Sequence, residues 1–372
     1  MKIGCPKEIK NNENRIGLTP SAAHEYVEAG HQVFIETGGG LGSAIEDSEY
    51  MAAGAKIFPT ASDVWSESDM IVKVKEPLES EYGLMKENQL LYTFFHFAAD
   101  EKLLKACLER KIIALAYETV QQGHNLPLLK PMSEVAGRMS TLMGAFYLAK
   151  TQGGRGILPM GVTGVAPAEI LILGGGVVGT NAAHVAAGLK ANVTILDVNL
   201  SRLEYLSEIL PPNVNCLYND PVTLKSKLQS ADVIIGAILV PGAKAPKLVQ
   251  NKHLHILKPG TVLVDVAIDQ GGCFETSRPT THSDPIYLVD DIVHYCVTNM
   301  PGAYARTSTF ALNNATIKYG LALANSGPRA ACRENEALKH GLNVYKGTIT
   351  YKAVANAFGL DNLYQPVDSV LA

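Results

Sequence analysis

AEILILGGGVVGTNAAHVAAGLKANVTILDVN, residues 168–199, is the stretch that decides the fold. An apolar run, ILIL, leads into a glycine turn. A small-residue segment of helical length follows, and a second apolar run closes on Asp197. Strand, turn, helix and strand make one βαβ unit and imply a parallel sheet. Gly174, Gly176 and Gly179 form G-x-G-x-x-G. The first glycine permits the tight turn, the second lets a pyrophosphate approach the backbone, and the third lets helix and strand sit close. The helix start at Val177 and Val178 offers amide donors and a positive dipole to phosphates. The pattern alone is weak in a chain with 33 glycines. Its place between a strand and a helix gives it weight, as does an acid at the next strand tip, near the expected spacing of about 20 residues. Asp197 would accept hydrogen bonds from the adenosine ribose hydroxyls and repel a 2′-phosphate. NAD rather than NADP is the cofactor read. Arg202 nearby could in principle attract that phosphate. The plain alternative is a glycine turn with no ligand.

The same alternation extends in both directions. MKIGCP, HQVFIE, DMIVKVK (69–75), QLLYTFFHF (89–97) and KIIALAYETV (111–120) read as strands with helices between them. Thr19-Pro20 is a helix start, with a capping hydroxyl and a proline suited to the first helical position. A long helix is expected from Ser133 to Lys150, then a Gly/Pro-rich connection over 151–167. NCLYN, ADVIIGAIL, TVLVDVAID and HYCVTNM are further strand candidates. The last 70 or so residues are richer in helix signals, and part of them is expected to return to the first domain.

At 372 residues the chain exceeds one ordinary core, so two domains are expected. Hydrophobic residues make up 47% and charged residues 18%, an ordinary globular balance, and a net charge of −4 gives no reason to expect nucleic acid or an anionic membrane as partner. No apolar run is long enough to span a bilayer and the N-terminus has no signal core, which predicts a cytoplasmic protein. Six cysteines stand far apart with no CxxC pair, so free buried thiols are expected rather than zinc or disulfides.

VDVAIDQGG, residues 264–272, sets two carboxylates in an apolar run. A strand end reaching water would explain them, and so would a carboxylate delivered to a cofactor cleft. Lys75 ends one strand, His96 sits near the end of another and Arg15 follows the first strand in a loop, so the three could converge beyond the carboxyl ends of the strands, where ligands of parallel α/β sheets gather. Singly, each has an ordinary reading: a surface arginine, a solvated lysine, a core histidine. As a set they make chemical sense. Arg15 could clamp a carboxylate with its planar fork, Lys75 could polarise a carbonyl, and His96 could move protons near neutral pH.

With GCPKEIKNNENRIGLTP, VKVKEPL, FFHFAA, AYETVQ, PLLKPMSEVAGRMS, VPGAKAPKLV, DVAIDQGGCFETSRPTTH and CVTNMPGAYARTSTFALNNAT also in view, the chain closely resembles the NAD-dependent L-alanine dehydrogenases of bacteria and cyanobacteria, from end to end. The resemblance implies an α/β protein of two domains. A Rossmann domain over 129–302 binds NAD, and a Rossmann-like substrate domain over 1–128 is completed by helices from 303–372. It implies a homo-oligomer, commonly a hexamer, and the interconversion of L-alanine, NAD and water with pyruvate, ammonium and NADH. It places Arg15 and Lys75 on the substrate and makes His96 and Asp269 the catalytic pair, with Asp265 structural. VDVAIDQGG would then be a Rossmann strand delivering Asp269. The cofactor contacts it implies, beyond the glycines, are Ser133, Val177, Val178, Asp197, Arg202, Asn219, Ile238, Leu239, Val266, Ala267, Ile268, Asp269, Arg278 and the run Val297, Thr298, Asn299 and Met300. Asn219 falls where relatives can carry serine. No metal is implied. The nearest rival is the NAD-binding subunit of proton-translocating transhydrogenase, which oxidises no amino acid. A non-catalytic NAD-binding regulator and a dehydrogenase of lysine or saccharopine are the others.

Overall fold

The computed structural model describes residues 1–238 and 245–372. Its strands, in chain order, are β1 (Lys2–Cys5), β2 (Gln32–Glu36), β3 (Lys56–Phe58), β4 (Met70–Val72), β5 (Leu90–Thr93), β6 (Ile113–Ala116), β7 (Glu169–Leu173), β8 (Asn192–Asp197), β9 (Val214–Tyr218), β10 (Val233–Gly236), β11 (Val262–Asp265), β12 (Ile286–Val289), β13 (Ile292–Tyr295), β14 (Leu342–Tyr345) and β15 (Thr348–Ile349). They form two sheets, ordered β15-β14-β6-β5-β4-β1-β2-β3 and β12-β13-β11-β10-β7-β8-β9. Pairing is parallel through both sheets except at one edge of each, where β14 and β15 in the first sheet and β12 in the second run antiparallel. The chain divides into two units: Met1–Met132 with Gly302–Ala372, and Ser133–Pro301.

The unbroken apolar runs reflect burial on both faces, as parallel sheets require. In β7, Ile170 and Ile172 enter one core while Leu171 and Leu173 enter the core on the opposite face. In β4, Met70 and Val72 enter one core and Ile71 the other. The C-terminal stretch completes the first unit. The helix Ala305–Glu334 contributes Leu312, Tyr319 and Leu323 to the core that holds Ile3, Tyr26 and Tyr92. The Tyr92 hydroxyl donates to the carbonyl of Thr316 at 3.1 Å, and β14 adds a strand beside β6.

Several strands stop earlier than the apolar runs suggest, and the reason is the same in three of them. β4 ends at Val72 because the next free amides, Val74 and Lys75, donate to Glu8 Oε1 at 2.6 and 3.2 Å. β5 ends at Thr93, and the amides of Phe95 and His96 donate to Glu118 Oε1 at 3.2 and 2.6 Å. β11 ends at Asp265, whose own carboxylate takes the amide of Ala267 at 3.2 Å and that of Cys273 at 2.9 Å. A backbone donor captured by a carboxylate cannot serve the ladder. VDVAIDQGG is therefore not one strand. Its strand delivers Asp265, and Asp269 sits beyond it in the short 3₁₀ turn Ile268–Gln270. β6 likewise ends at Ala116, before the turn Tyr117–Thr119. The helix expected from Ser133 runs over Lys130–Tyr147, with Pro131 in its first turn.

Candidate active site

In the first sheet the chain order reverses between β1 and β4, a topological switch point where the carboxyl ends of strands open a crevice. Lys75 and His96 stand just past the ends of the adjacent β4 and β5, and Arg15 lies in the longer loop that leaves the neighbouring β1 at the same end.

Arg15 is 2% exposed, not a surface residue of a polar loop. Its Nε and Nη2 donate to Glu13 Oε1 and Oε2 at 2.7 and 2.6 Å, and Nη1 lies 3.0 Å from the sulfur of Met132. Glu13 also accepts the amide of Arg15 at 3.1 Å. This side-on fork fixes the guanidinium plane.

His96 is exposed and its backbone is left-handed, with φ 52° and ψ 37°. Such a conformation costs a residue with a Cβ roughly 1–3 kcal/mol and persists only where its surroundings enforce it. Glu118 is what enforces it, through the two successive amides named above. The imidazole stacks on Phe94 with ring centroids 5.8 Å apart, and its Nδ1 lies 3.8 Å from Glu76 Oε2. That distance is beyond hydrogen-bond reach and is an ion-pair contact only when the imidazole is protonated. The other oxygen of Glu76 binds the Lys10 ammonium. Burial pushes the Glu76 carboxyl up, but His96, Lys75 and Lys10 outweigh it and hold it at about 2.

Lys75 is half-buried, and its carbonyl accepts from Thr93 Oγ1 at 3.0 Å. Two residues earlier, Lys73 is fully buried with its ammonium 3.1 Å from both Glu8 Oε2 and Glu81 Oε1. Burial opposes the Lys73 charge, but the two carboxylates prevail and hold its pKa above the usual value. Glu8 is pushed up by burial, against the pull of Lys73. Glu8 thus joins the buried triad to the backbone that carries Lys75.

In the second unit the switch point lies between β7 and β10. The fingerprint turn leaves β7 there and enters the helix Val177–Gly188. Gly174 has φ +104°, and a Cβ there would lie 2.9 Å from the carbonyl oxygen of Ala237 and 3.0 Å from Ile238 Cγ1, so the end of β10 presses on the turn. A Cβ on Gly179 would meet the Gly174 carbonyl oxygen at 1.9 Å. Gly176, by contrast, faces open space, with nothing within 4 Å of an added Cβ. A tight turn, an open flank and helix-start amides are what a pyrophosphate needs. Asp197 ends β8 and accepts the amides of Gly175 at 2.7 Å and Asn199 at 2.9 Å, while the Asn219 amide donates to its carbonyl at 2.9 Å. Ser133 is partly buried on its helix. Leu239 lies outside the described residues.

Asp265 is buried and organises the segment that carries Asp269 and Arg278. Besides Ala267 and Cys273 it takes the amide of Phe274 at 3.3 Å and the Ser277 hydroxyl at 2.5 Å, and burial raises its carboxyl. Val266 is half-buried, Ala267 and Ile268 are buried, and Asp269 is exposed. Arg278 lies over the Tyr287 ring at 4.1 Å, and the Tyr287 hydroxyl accepts its amide at 2.8 Å. Of the run 297–300, Val297 and Met300 are buried, the Thr298 amide donates to Thr280 at 3.1 Å, and Asn299 is left-handed. Among the described residues, no group of three histidines, cysteines or acids is placed to hold a metal. All six cysteines are free, and five are buried, with Cys216 half-buried.

Glu8, Glu13, Glu76, Glu118 and Gly175 are not among the residues that the sequence points to, whereas Asp265, read as structural, is. The local signal was present: an acid two positions before Arg15 and another directly after Lys75. The basic groups carry the chemistry that a substrate needs, whereas the acids only hold them, which no local pattern distinguishes from a solvated charge.

Residues 4–136 match the family described as "Alanine dehydrogenase/PNT, N-terminal domain", and 140–352 match "Alanine dehydrogenase/PNT, C-terminal domain". The chain is 53% identical to the alanine dehydrogenase of Methanococcus maripaludis, with 100% of each sequence covered. A solved L-alanine dehydrogenase superposes with a TM-score of 0.93 at 49% identity, covering 96% of this chain and 99% of that one. A transhydrogenase from Sinorhizobium meliloti shares the fold, with a TM-score of 0.81 at 23% identity over 95% of this chain and 100% of that one. The chain belongs to the alanine dehydrogenase/PNT family.

Proposed function

We propose that this chain oxidatively deaminates L-alanine to pyruvate and ammonium with reduction of NAD, reversibly, as a cytoplasmic homohexamer. The observation that carries the reading is the emergence of Arg15, Lys75 and His96 from adjacent strands of one sheet, each held by its own carboxylate partner. That set answers a substrate bearing a carboxylate and an amine. Arg15, Lys75 and His96 belong to the first unit, and the glycine turn, Asp197 and Asp269 to the second. The open flank of Gly176, the obligatory glycine at 179 and Asp197 fit NAD.

Arg15 and Lys75 hold the substrate carboxylate, and Lys75 polarises the carbonyl of pyruvate in the reverse direction. The NAD that Gly174, Gly176, Gly179 and Asp197 would hold would supply the acceptor for the α-hydrogen of alanine as hydride. His96 takes the proton that must leave the substrate ammonium and releases it to solvent, since histidine exchanges protons near neutral pH. It then takes the proton of the attacking water and returns it to the amine, which departs as ammonia and carries off the hydroxyl proton as ammonium. Asp269 balances the positive charge of the iminium that water attacks. Stacking on Phe94 and the nearby Glu76 set the plane of the His96 imidazole.

The test is NADH formation with L-alanine, against glycine, serine and lysine, and with NADP in place of NAD. Alanine-dependent NADH formation with at least a hundredfold preference for NAD is expected. That preference follows because a carboxylate set against a 2′-phosphate costs several kcal/mol. NADH binding with no oxidation of any amino acid would replace this reading with a transhydrogenase-type or regulatory role.

A further inference from the structure

Gly175, the residue the fingerprint leaves unspecified, is gripped from both sides. Its amide donates to Asp197 Oδ2 at 2.7 Å. Its carbonyl accepts from Arg202 Nε at 2.7 Å. Arg202 Nη2 donates to Thr180 Oγ1 at 2.9 Å, and Thr180 Oγ1 donates to the Gly176 carbonyl at 2.7 Å. The base of this arrangement is fixed too. Asn199 caps the helix Leu200–Ile209 by accepting the Arg202 amide at 3.1 Å, and the Arg202 guanidinium lies 5.1 Å from the Tyr205 ring centroid. A Cβ at Gly175 would stand 2.7 Å from Leu206 Cδ1 and 3.2 Å from Asp197 Oδ2, so the peptide has little room to turn.

We infer that Arg202 is a positioning residue. It acts on the dinucleotide through the glycine turn, and with Asp197 it makes cofactor choice and turn geometry one device. The reasoning is directional. The peptide joining 175 and 176 precedes the helix-start amides that a pyrophosphate needs, and Arg202 fixes which way its carbonyl points. With the carbonyl held toward the guanidinium, the opposite side at Gly176 stays open for the phosphates. The same two hydrogen bonds hold the Nε and Nη2 edge of the guanidinium against the turn. Discrimination against a 2′-phosphate then falls to the Asp197 carboxylate, which also holds the Gly175 amide. Removing Asp197 deletes the repelling charge and frees that amide. Affinity for NADH falls, and affinity for NADPH does not rise to meet it.

This rests on the NAD reading, and titration of the wild-type chain with NADH and NADPH separates the two. A wild-type preference for NADPH would overturn the cofactor reading itself. Given a preference for NADH, Arg202→Ala and Arg202→Lys are titrated with ADP-ribose and with adenosine. Lysine keeps the charge but cannot span both acceptors. A charge-assisted hydrogen bond is worth a factor of about ten or more in an equilibrium constant. Both variants are therefore expected to weaken ADP-ribose at least about tenfold while changing adenosine by less than about twofold. Equal losses for the two ligands would mean that Arg202 contacts the ribose directly, and an unchanged ADP-ribose affinity would mean that the grip has no part in binding. Either result overturns the inference. Thr180→Val removes one acceptor without touching the charge and tests the same claim if the arginine variants fold poorly. It should show the same selective loss at smaller size, and no loss would count against the grip. Asp197→Ala that bound NADPH as tightly as the wild type binds NADH would show that the turn binds phosphates without the Gly175 anchor, and would also overturn it.

Discussion

The backbone amide of His96 donates to Glu118 at 2.6 Å from a left-handed conformation that an L-residue ordinarily avoids. The proposed acid–base group thus stands on a strained residue pinned by a carboxylate from the turn that follows the next strand. Glycine adopts φ > 0 freely and alanine does not. His96→Gly should therefore be more stable to denaturant than His96→Ala by about 1 kcal/mol, although both remove the imidazole. Both should lose ~10²–10⁴ in kcat for alanine deamination, as expected for loss of a positioned acid–base group. Equal stability would remove the strain, and activity within tenfold of wild type would return His96 to a packing role.

Arg15 and Glu13 form a buried, side-on pair, which sets a different expectation from a surface ion pair. Removing one partner of a buried pair costs ~3–5 kcal/mol, against ~1 or less for an exposed one. Glu13→Gln should lower stability by an amount in the first range and raise KM for pyruvate. Arg15→Lys should raise KM for pyruvate with NADH affinity unchanged, because it loses the planar fork. Equilibrium denaturation and steady-state amination measure these, and a loss below 1 kcal/mol in Glu13→Gln would place the pair in water.

Glu76 gives a pH signature. Burial raises its carboxyl, but His96, Lys75 and Lys10 lower it from 4.5 to about 2. A depressed carboxyl contributes stability that is complete above its unfolded value and fades as pH falls through its folded one. The contribution, ~3 kcal/mol from the size of the shift, should be full above about pH 5 and lost progressively toward pH 2. Denaturation of wild type and Glu76→Gln across that window should converge at the acid end. Parallel curves would show that Glu76 is not paired in the folded chain.

Asp265 and Asp269 lie four residues apart and should behave oppositely. Asp265 is buried and takes the amides of Ala267, Cys273 and Phe274, so Asp265→Asn turns an acceptor into a donor facing donors. A buried unsatisfied polar group costs ~1–3 kcal/mol. That variant should lose stability and NADH affinity together. Asp269→Asn should keep both and lose at least about a hundredfold in kcat, in the range of a displaced acid–base or charge-stabilising group. Thermal melts with NADH fluorescence titration distinguish them, and loss of NADH affinity in Asp269→Asn would make that residue a cofactor holder.

The sequence by itself determined the βαβ periodicity, the glycine turn before a helix, the acid at the tip of β8 and the basic residues at strand ends. Each depends on local facts: a run of apolar residues long enough to be buried on both faces, glycine where a Cβ would strike the Gly174 carbonyl, a charge just beyond an apolar run. Tertiary structure alone decided where the strands stop and which way the site residues face. Glu8 reaches across 66 positions to the amide of Val74, and Glu118 across 22 to that of His96. No window along the chain contains both ends of those bonds. A strand's propensity continues through VKVK and TFFHF, but its ladder ends where a carboxylate from another element captures the next amide, and that is a property of the folded chain.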